Sequence, residues 1–339
     1  MLNNQDFAQL EPKSPVKRRL ALVSNTKPLT LEKSLASNID PATELLQETI
    51  AKIDGAYAPS TIRAYRADFQ DLIKFCIEQG TQALPIYPQL LTQYICKLTN
   101  SGRSSASIRR AIAGIATIHK LNRLTDPTKD PDVILEMRRM HRRLGRASHQ
   151  AQAITANILD KLLEATESNT RGIRDRALLL TAYDTMCRRS ELTELQIEDV
   201  KSNITDGVER MSILIRQSKT DQESLGRRLH VSEKTKKALK EWIDKIENKH
   251  GKLFRGINKS QSITSSLGAS QINRIYKRIA KNAGLDQNLT NGISGHSMRV
   301  GHAQDLVSSG ASMPIIMSKG RWSKTDTVMR YVEHLQFMQ

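Results

Sequence analysis

The stretch RMSILIRQSKTDQESLGRRLHV, residues 210–231, indicates that the chain is not helical throughout. Apolar and polar side chains alternate over 210–216 and again over 227–231, and a period of two is typical of β-strands. We therefore predict that these two runs pair as an antiparallel hairpin. The residues between them, 217–226, form the predicted loop, which carries Lys219.

The sequence on both sides of this hairpin has the apolar spacing of α-helices. Apolar residues recur every three or four positions, which places them on one face of a helix. The second half of the chain is therefore expected to be a mixed domain, mainly α-helical with a small antiparallel β-sheet. Its helices are predicted over 155–168, 171–186, 233–247, 269–283, 295–309 and 324–336.

The first half of the chain shows helical patterns and no strand pattern before residue 150. Asp40 and Pro41 mark the start of the first helix, as a capping residue followed by a proline in the first turn. Further helices are predicted over 59–80, 88–100, 104–121 and 130–143. The expected organisation is a basic flexible arm, an all-helical domain, a linker and the mixed domain, at residues 1–36, 37–143, 144–153 and 154–339.

The composition favours a polyanionic partner. The 339 residues include 52 Lys and Arg against 35 Asp and Glu, a formal net charge of +17, which favours nucleic acid first and an anionic membrane surface second. The cysteines Cys76, Cys96 and Cys187 are an odd number without a CxxC pair, so they do not support a disulfide framework or a zinc site. No apolar run approaches the roughly 20 residues of a membrane span, and the amino terminus has no signal-peptide pattern. We expect a cytoplasmic protein without a membrane partner.

Positive charge is concentrated in the second part of the helical domain. Residues 103–146 contain eleven Lys or Arg and four Asp or Glu, a net charge of +7. A solvated helix face explains such a run, and so does a basic face that follows a phosphate backbone. On the second interpretation the candidate DNA-binding residues are Arg63, Arg66, Arg103, Arg109, Arg110, Arg138, Arg139, Arg142 and Arg143.

Seven polar or aromatic residues of the mixed domain interrupt their local pattern: Arg188, Glu191, Lys219, His296, Arg299, Trp322 and Tyr331. Taken one at a time, each has an ordinary explanation. An Arg–x–x–Glu spacing is typical of an ion pair within a helix, and a lysine in a hairpin loop is usually a solvated tip. A lone helical tyrosine usually packs in or beside the core. Trp322 lies in a GRWS turn, where a core aromatic is not expected.

Together, the order Arg–x–x–Glu, hairpin Lys, His–x–x–Arg, Trp and then Tyr resembles the tyrosine site-specific recombinases, the phage integrase family. The local motifs are most similar to the Cre-like branch: MCRRSEL (186–192), SKT (218–220), SGHSMRVG (294–301) and GRW with VMRY (320–322 and 328–331). The similarity extends into the helical domain at YAPST (57–61) and MRR (137–139), so it covers about 40–339. It is specific, because six separated elements agree in order and spacing.

The resemblance implies that the reaction takes place at a tyrosine. Tyr331 is the expected nucleophile, and it would form a covalent 3′-phosphotyrosyl link with DNA. A phenol of pKa about 10 is protonated at neutral pH, so a base is needed, and His296 is the candidate. Arg188 and Arg299 would bind the phosphate oxygens, since a guanidinium fork contacts two oxygens and stays charged.

The remaining residues of the motif are expected to assist the same reaction. Lys219 would protonate the departing 5′-oxygen as general acid. Trp322 would donate its indole N–H to a phosphate oxygen, and Glu191 would orient Arg188 or Lys219. The resemblance implies no metal, ATP or other cofactor.

The resemblance also implies how the protein acts on DNA. The helical domain would be the core-binding DNA clamp and the mixed domain the catalytic domain of a prokaryotic, nucleoid-associated recombinase. A homotetramer would join two inverted-repeat, lox-like sites in double-stranded DNA and exchange strands through a Holliday junction. Two alternatives stay open: a type IB topoisomerase-like enzyme, and a catalytically silent DNA-binding regulator. Residues 332–339 either dock on a neighbouring protomer or are too short to do so.

Overall fold

The computed structural model describes most of the chain, namely residues 41–146, 150–216 and 226–332. These residues form two compact units, one before and one after residues 147–149. Five features predicted from the sequence lie wholly or partly outside the described residues: the arm at 1–36, the capping residue Asp40, the linker at 144–153, the hairpin loop at 217–226 and the tail at 332–339.

The first unit consists of five α-helices, four of which begin at a proline. A proline is tolerated in the first turn because its missing N–H would have no partner within the helix. The helices are α1 (Pro41–Lys52), α2 (Pro59–Glu78), α3 (Pro88–Asn100), α4 (Ser105–Leu121) and α5 (Pro131–Leu144). No strand occurs within residues 41–146, in agreement with the predicted all-helical domain.

The apolar stripes of these helices form one core. On α4, Ile108, Ile112, Ile115 and Ile118 are all buried, as their spacing predicts. They join the apolar residues of the other four helices in a single cluster. Most of the charged residues of the same helices are thereby left on the outer faces of the unit, whereas Asp68 and Glu136 are buried.

The second unit contains nine further α-helices in the described residues. All six predicted helices are present, with ends shifted by a few residues where the structure describes them; residues 333–336 of the last one lie outside the described part of the chain. Three helices of six to eight residues, α8, α11 and α13, lie outside the predicted ranges, because so few residues do not show a clear apolar period. The set is α6 (Ala156–Glu164), α7 (Thr170–Thr185), α8 (Arg189–Glu194), α9 (Glu233–Lys245), α10 (Ala269–Asn282), α11 (Gln287–Gly292), α12 (Ser297–Ser308), α13 (Met313–Gly320) and α14 (Thr325–Val332).

The sheet of the second unit confirms the predicted hairpin and adds a strand to it. Strands β2 (Val208–Ile215) and β3 (Arg227–His230) pair antiparallel. The unpredicted strand β1 (Val200–Thr205) pairs antiparallel with the other edge of β2, giving the order β1-β2-β3. The side chains at 201–204 are exposed. An exposed edge strand has no apolar alternation, which explains why the sequence did not reveal β1.

Two apolar clusters hold the second unit together. The larger one packs α6, α7, α9 and α10 against the sheet. The smaller one joins Met186, at the end of α7, to Ala303, Ile316, Trp322 and Val328. This small cluster brings the segments that carry the candidate site residues to one place. No helix in the described part of the chain is both long and apolar enough to cross a bilayer.

Candidate active site

The turn between α7 and α8 positions the first arginine. Helix α7 ends at Thr185 and is followed by Met186, whose φ of 49° is in the left-handed region. Arg188 caps α8, and its backbone N–H donates to Glu191 Oε2 at 2.9 Å. Its guanidinium Nη1 donates to Glu191 Oε1 at 2.6 Å. Arg188 and Glu191 therefore form the ion pair that their spacing suggests, with the Arg188 side chain 20% exposed.

The second arginine, Arg299, is buried within the same unit and is only 2% exposed. Its guanidinium donates to the carbonyl oxygens of Met186, at 2.7 Å, and Gly320. Burial, and then the charges of Arg188 and Arg321, lower the pKa of Arg299 to about 10. The side chain is therefore still charged at neutral pH, and two carbonyl groups fix its direction.

Trp322 lies between Arg299 and Tyr331. The guanidinium carbon of Arg299 is 4.4 Å from the centroid of the Trp322 ring, and the centroids of the Trp322 and Tyr331 rings are 5.5 Å apart. Trp322 is 9% exposed and belongs to the small apolar cluster. The expectation that a core aromatic would not occur in this turn was therefore wrong. The turn folds back over α12, and the indole ring covers the buried guanidinium.

Gly320 makes this arrangement sterically feasible. A Cβ atom built at Gly320 would lie 2.1 Å from Cε3 and Cζ3 of the Trp322 ring. Such a distance is far below van der Waals contact, so any side chain at this position would displace the ring. The last residue of α13 must therefore be glycine for the indole to approach the backbone.

Tyr331 lies on the last turn of α14 that the structure describes. Its side chain is half-buried, and its carbonyl oxygen accepts a hydrogen bond from Gln304 Nε2 at 3.0 Å. The ring contacts the small apolar cluster at its edge. Tyr331 is thus neither fully buried nor remote from Arg299, with which it has an electrostatic interaction.

His296 precedes α12 and has an exposed side chain. Its backbone N–H donates to Ser294 Oγ at 3.2 Å. Partial desolvation, and then the charges of Arg299 and Arg188, lower the pKa of His296 below its usual value of 6.5. A histidine with a lowered pKa is neutral at physiological pH, and a neutral imidazole is able to accept a proton.

Arg321 is part of the site, although in the sequence it stands out only as the neighbour of Trp322 in the GRW motif. The residue is 9% exposed, and its Nη2 donates to Glu191 Oε2 at 2.6 Å. Its Nη1 donates to the carbonyl oxygen of Thr185 at 2.8 Å. Glu191 and Arg321 are 130 residues apart in the sequence. No local pattern connects residues so distant, which explains why Arg321 was missed.

The charged groups of the site do not cancel. Three guanidinium groups, from Arg188, Arg299 and Arg321, interact with one carboxylate, from Glu191. The cluster therefore carries a formal net charge of +2 beside the half-buried ring of Tyr331. A partly desolvated cluster with this charge favours the binding of an anion such as a phosphodiester.

Lys219 is the one candidate of the seven that the structure does not describe. It belongs to 217–225, between the end of β2 at Ile215 and the start of β3 at Arg227. Its role stays a prediction, as does any role of the tail at 333–339. Among the described residues, no group of three or more His, Cys, Asp or Glu side chains is arranged to hold a metal ion.

All nine candidate DNA-binding arginines of the first unit are exposed. Four of them already have partners, since Arg103 pairs with Asp71, Arg110 with Asp68, Arg139 with Glu136, and Arg143 donates to Asn100. The other five have no ion pair with any residue that the structure describes: Arg63, Arg66, Arg109, Arg138 and Arg142. These five, and Arg143, whose partner Asn100 is a neutral amide, have a charge that no described carboxylate neutralises, and this charge is available for a phosphate backbone.

A helical unit followed by a mixed unit, in which a half-buried tyrosine adjoins a cluster of arginines, is the arrangement expected of a tyrosine recombinase. Residues 152–337 match the phage integrase family model, and residues 49–122 match the N-terminal SAM-like domain of phage integrases. The first match alone spans more than half of the chain. The chain therefore belongs to the phage integrase family, the tyrosine recombinases, which confirms the resemblance seen in the sequence and the predicted enzyme class.

Curated relatives agree with this assignment. The chain is 27% identical over 293 residues to an integrase/recombinase xerD homolog of Selenomonas ruminantium, covering 83% of this chain and 84% of that protein. It is 28% identical over 279 residues to the recombinase cre of Escherichia phage P1, covering 77% and 80%. Both relatives thus match over most of their length.

Solved structures show the same fold at lower sequence identity. XerH site-specific recombinase bound to difH substrate superposes with a TM-score of 0.58 at 17% identity, covering 88% of this chain and 82% of that one. A lambda integrase dimer bound to a COC′ core site gives a TM-score of 0.57 at 15% identity, covering 85% and 76%. The predicted fold class, a helical domain followed by a mainly helical domain with a small antiparallel sheet, is confirmed.

Proposed function

We propose that the protein is a site-specific DNA recombinase that cuts and rejoins DNA through Tyr331. The observation that carries this proposal is the contact series from Arg299 to Trp322 to Tyr331, at 4.4 and 5.5 Å. It holds a phenol beside a net-positive cluster of fixed side chains. Phosphoryl transfer depends mainly on such positioning and electrostatic stabilisation.

In the proposed first step, the phenolic oxygen of Tyr331 attacks the phosphorus atom of one DNA strand. The new Tyr–O–P bond replaces the bond between phosphorus and the 5′-oxygen. His296 accepts the phenolic proton, and Lys219 donates a proton to the departing 5′-oxygen. Arg188 and Arg299 bind the phosphate oxygens as negative charge increases in the transition state.

Trp322 and Glu191 have supporting roles in this step. Trp322 packs against Arg299 and Tyr331 and is the candidate to donate its indole N–H to a phosphate oxygen. Glu191 is already bound to Arg188 through two hydrogen bonds, so it orients Arg188. Of its two predicted targets, Arg188 is the one that the structure describes, and these contacts support its orientation by Glu191.

The second step reverses the first on another DNA strand. The phosphotyrosyl link is a phosphodiester like the bond it replaces, so the 5′-hydroxyl of a second strand is able to attack it without an energy source. Exchange of the first pair of strands produces a Holliday junction, and exchange of the second pair resolves it into two recombined duplexes. We propose that a homotetramer performs these exchanges between two inverted-repeat, lox-like sites, and the XerH structure with a palindromic difH substrate supports that symmetry.

The first unit is proposed to bind the DNA on which the second unit acts. It carries an excess of exposed arginines, of which Arg63, Arg66, Arg109, Arg138 and Arg142 have no ion pair with a described residue. Such residues bind phosphates irrespective of base sequence and make the affinity depend on salt. DNA-bound relatives, such as lambda integrase at its core site, support the assignment of DNA as the partner.

The test is covalent capture of DNA. The purified protein is incubated with a pool of random-sequence duplexes, each of which carries a nick. Cleavage beside the nick releases a short DNA end that diffuses away, so the cleavage is not reversed. DNA that stays attached to the protein in denaturant is then recovered. We expect a DNA–protein adduct from the wild type and none from Tyr331→Phe, although both bind the recovered duplex. An adduct of normal yield from Tyr331→Phe would refute the proposed nucleophile.

Rejoining of two separate duplexes distinguishes a recombinase from a topoisomerase-like enzyme. The recovered duplex is placed in two DNA molecules of different length, and the products are separated by size. We expect hybrid molecules in which the flanking sequences are exchanged. Relaxation of a supercoiled circle without any hybrid product would instead favour the topoisomerase-like alternative.

A further inference from the structure

Two arginines from distant parts of the chain share the carboxylate of Glu191. Oε1 accepts a hydrogen bond from Arg188 Nη1 at 2.6 Å, and Oε2 accepts one from Arg321 Nη2 at 2.6 Å. The side chains of Glu191 and Arg321 are almost completely buried, at 5% and 6% exposure, whereas that of Arg188 is 20% exposed. Glu191 thus bridges an inner arginine and an outer one.

The position of Arg321 is unfavourable by itself. Its φ of 55° is in the left-handed region, which glycine adopts readily and residues with a Cβ rarely do. Its Nε is buried and has no hydrogen-bond partner among the described residues. The contacts that compensate for this strain all lie at the junction of α7 and α8, at Thr185, Met186 and Glu191.

We propose that Arg321 is a positioning residue that acts on Arg188 through Glu191. This inference rests on the proposed role of Arg188 in binding the reacting phosphate. With Arg321 present, a buried cation neutralises Glu191, and the guanidinium of Arg188 keeps its charge available for an anion on its exposed side. Without Arg321, Glu191 and Arg188 would form a closed neutral pair, which attracts a phosphate less strongly.

The electrostatics of Glu191 are consistent with this division. Burial raises the pKa of the Glu191 carboxyl, but Arg321 and then Arg188 lower it by more, so the pKa lies below its usual value. The other charged or titratable groups that interact with Glu191 are Arg299, His296 and Cys187. Removing Arg321 removes the largest opposing charge, so the pKa of Glu191 rises and the ion pair with Arg188 is lost at a higher pH.

The first test uses Arg321→Gly, because glycine tolerates the left-handed backbone. The DNA is the single duplex recovered by covalent capture with the wild type. At saturating DNA we expect adduct formation to slow by about 100-fold, as for a small misplacement of a catalytic group, while DNA affinity changes little. The acidic limb of the rate–pH profile is expected to move to higher pH. The matched control is Arg123→Gly in the first unit, which replaces an exposed arginine that also has a left-handed backbone (φ 58°) and should leave the rate and the profile unchanged.

A double-mutant cycle separates action through Glu191 from a general loss of structure. In a Glu191→Gln background, Arg321→Gly should slow the reaction by less than about twofold, because residues that act on the same interaction are not additive. Independent, multiplying effects of the two substitutions would overturn the proposal, and so would a wild-type rate in Arg321→Gly.

Two outcomes keep this test separate from that of the proposed function. If the wild type itself forms no adduct, the proposed function fails before Arg321 is examined. If Arg321→Gly does not fold, as judged by thermal denaturation, Arg321→Lys is tested instead. Lysine keeps the positive charge but not the two contacts that the guanidinium makes, with Glu191 and with the Thr185 carbonyl oxygen. We expect Arg321→Lys to react within a few-fold of the wild type with an unshifted acidic limb, because the cation beside Glu191 is kept, and a loss of about 100-fold would overturn the proposal.

Discussion

The guanidinium carbon of Arg299 lies 4.4 Å from the centroid of the Trp322 ring. A cation over an indole face is stabilised by the ring quadrupole, and more strongly when both groups are shielded from water, as they are here. The ring of Tyr331 also adjoins this indole, with the two ring centroids 5.5 Å apart. The indole therefore couples the buried arginine to the candidate nucleophile.

Replacing Trp322 should affect both folding and reaction. Trp322→Ala removes a large side chain from a small cluster, so we expect the free energy of unfolding to fall by about 3 kcal/mol. The covalent adduct should form more slowly, because Tyr331 loses its neighbour. Trp322→Phe keeps a ring over Arg299 and should lose less of both. Equal stability of the wild type and Trp322→Ala in urea denaturation would contradict the observed packing.

Adding a methyl group at residue 320 should also lower stability and slow adduct formation, because it displaces the Trp322 ring. In Gly320→Ala the new Cβ meets the Trp322 ring at 2.1 Å unless the ring moves. We expect a loss of about 1–3 kcal/mol in stability, as for overpacking elsewhere, and slower adduct formation. Gly268→Ala is the control, since its nearest contact would be an ordinary 3.5 Å. Similar losses in both variants would show that the ring is not the cause.

The pH dependence of stability should reflect His302, a buried residue of α12. Burial, and then the charge of Lys319, lower the pKa of His302 to about 4, although Asp184 and Asp305 oppose the shift. An unfolded histidine titrates near 6.5, so below that pH only the unfolded state takes up the proton. Stability is therefore lost as the pH falls, by about 2 kcal/mol between pH 7 and pH 5.

Urea denaturation at pH 7 and pH 5 measures this loss. His302→Gln removes the titrating group, so its stability should fall less than that of the wild type over the same interval, whatever its stability at pH 7. An equal fall in both proteins would assign the pH dependence to other groups.

The salt dependence of DNA binding should distinguish the arginines that have no ion pair with a described residue from those that pair with a carboxylate. Arg138 and Arg142 of α5 line one surface groove and have no ion pair with a described residue. Replacing both with Gln should lower the slope of log affinity against log salt by about 2. The matched pair is Arg103 and Arg139, whose charges are already neutralised by carboxylates. Equal changes for the two pairs would mean that pairing does not decide which arginines bind phosphate.

The sequence was most informative where a short pattern determines the local structure. Pro59 and Pro88 mark the first turns of α2 and α3, and the isoleucine stripe of α4 gives its buried face. The Arg–x–x–Glu spacing likewise gives the ion pair of Arg188 with Glu191. These relations involve residues within one or two helical turns of each other.

The sequence was least informative where contacts join distant segments. Arg321 contacts Glu191 across 130 residues, and Trp322 becomes buried only because α12, α13 and α14 pack together. Strand β1 was missed because its exposed side chains do not alternate. Long-range packing determines each of these features, and no local periodicity in the sequence predicts such packing.

Identifying the residue that carries the DNA tests the central claim most directly. The adduct captured from the wild type is digested with protease and nuclease, and the peptide that retains a nucleotide is sequenced by mass spectrometry. We predict that the nucleotide is attached through its 3′-phosphate to Tyr331. Attachment to any other residue, or to Tyr331 through a 5′-phosphate, would contradict the proposed mechanism.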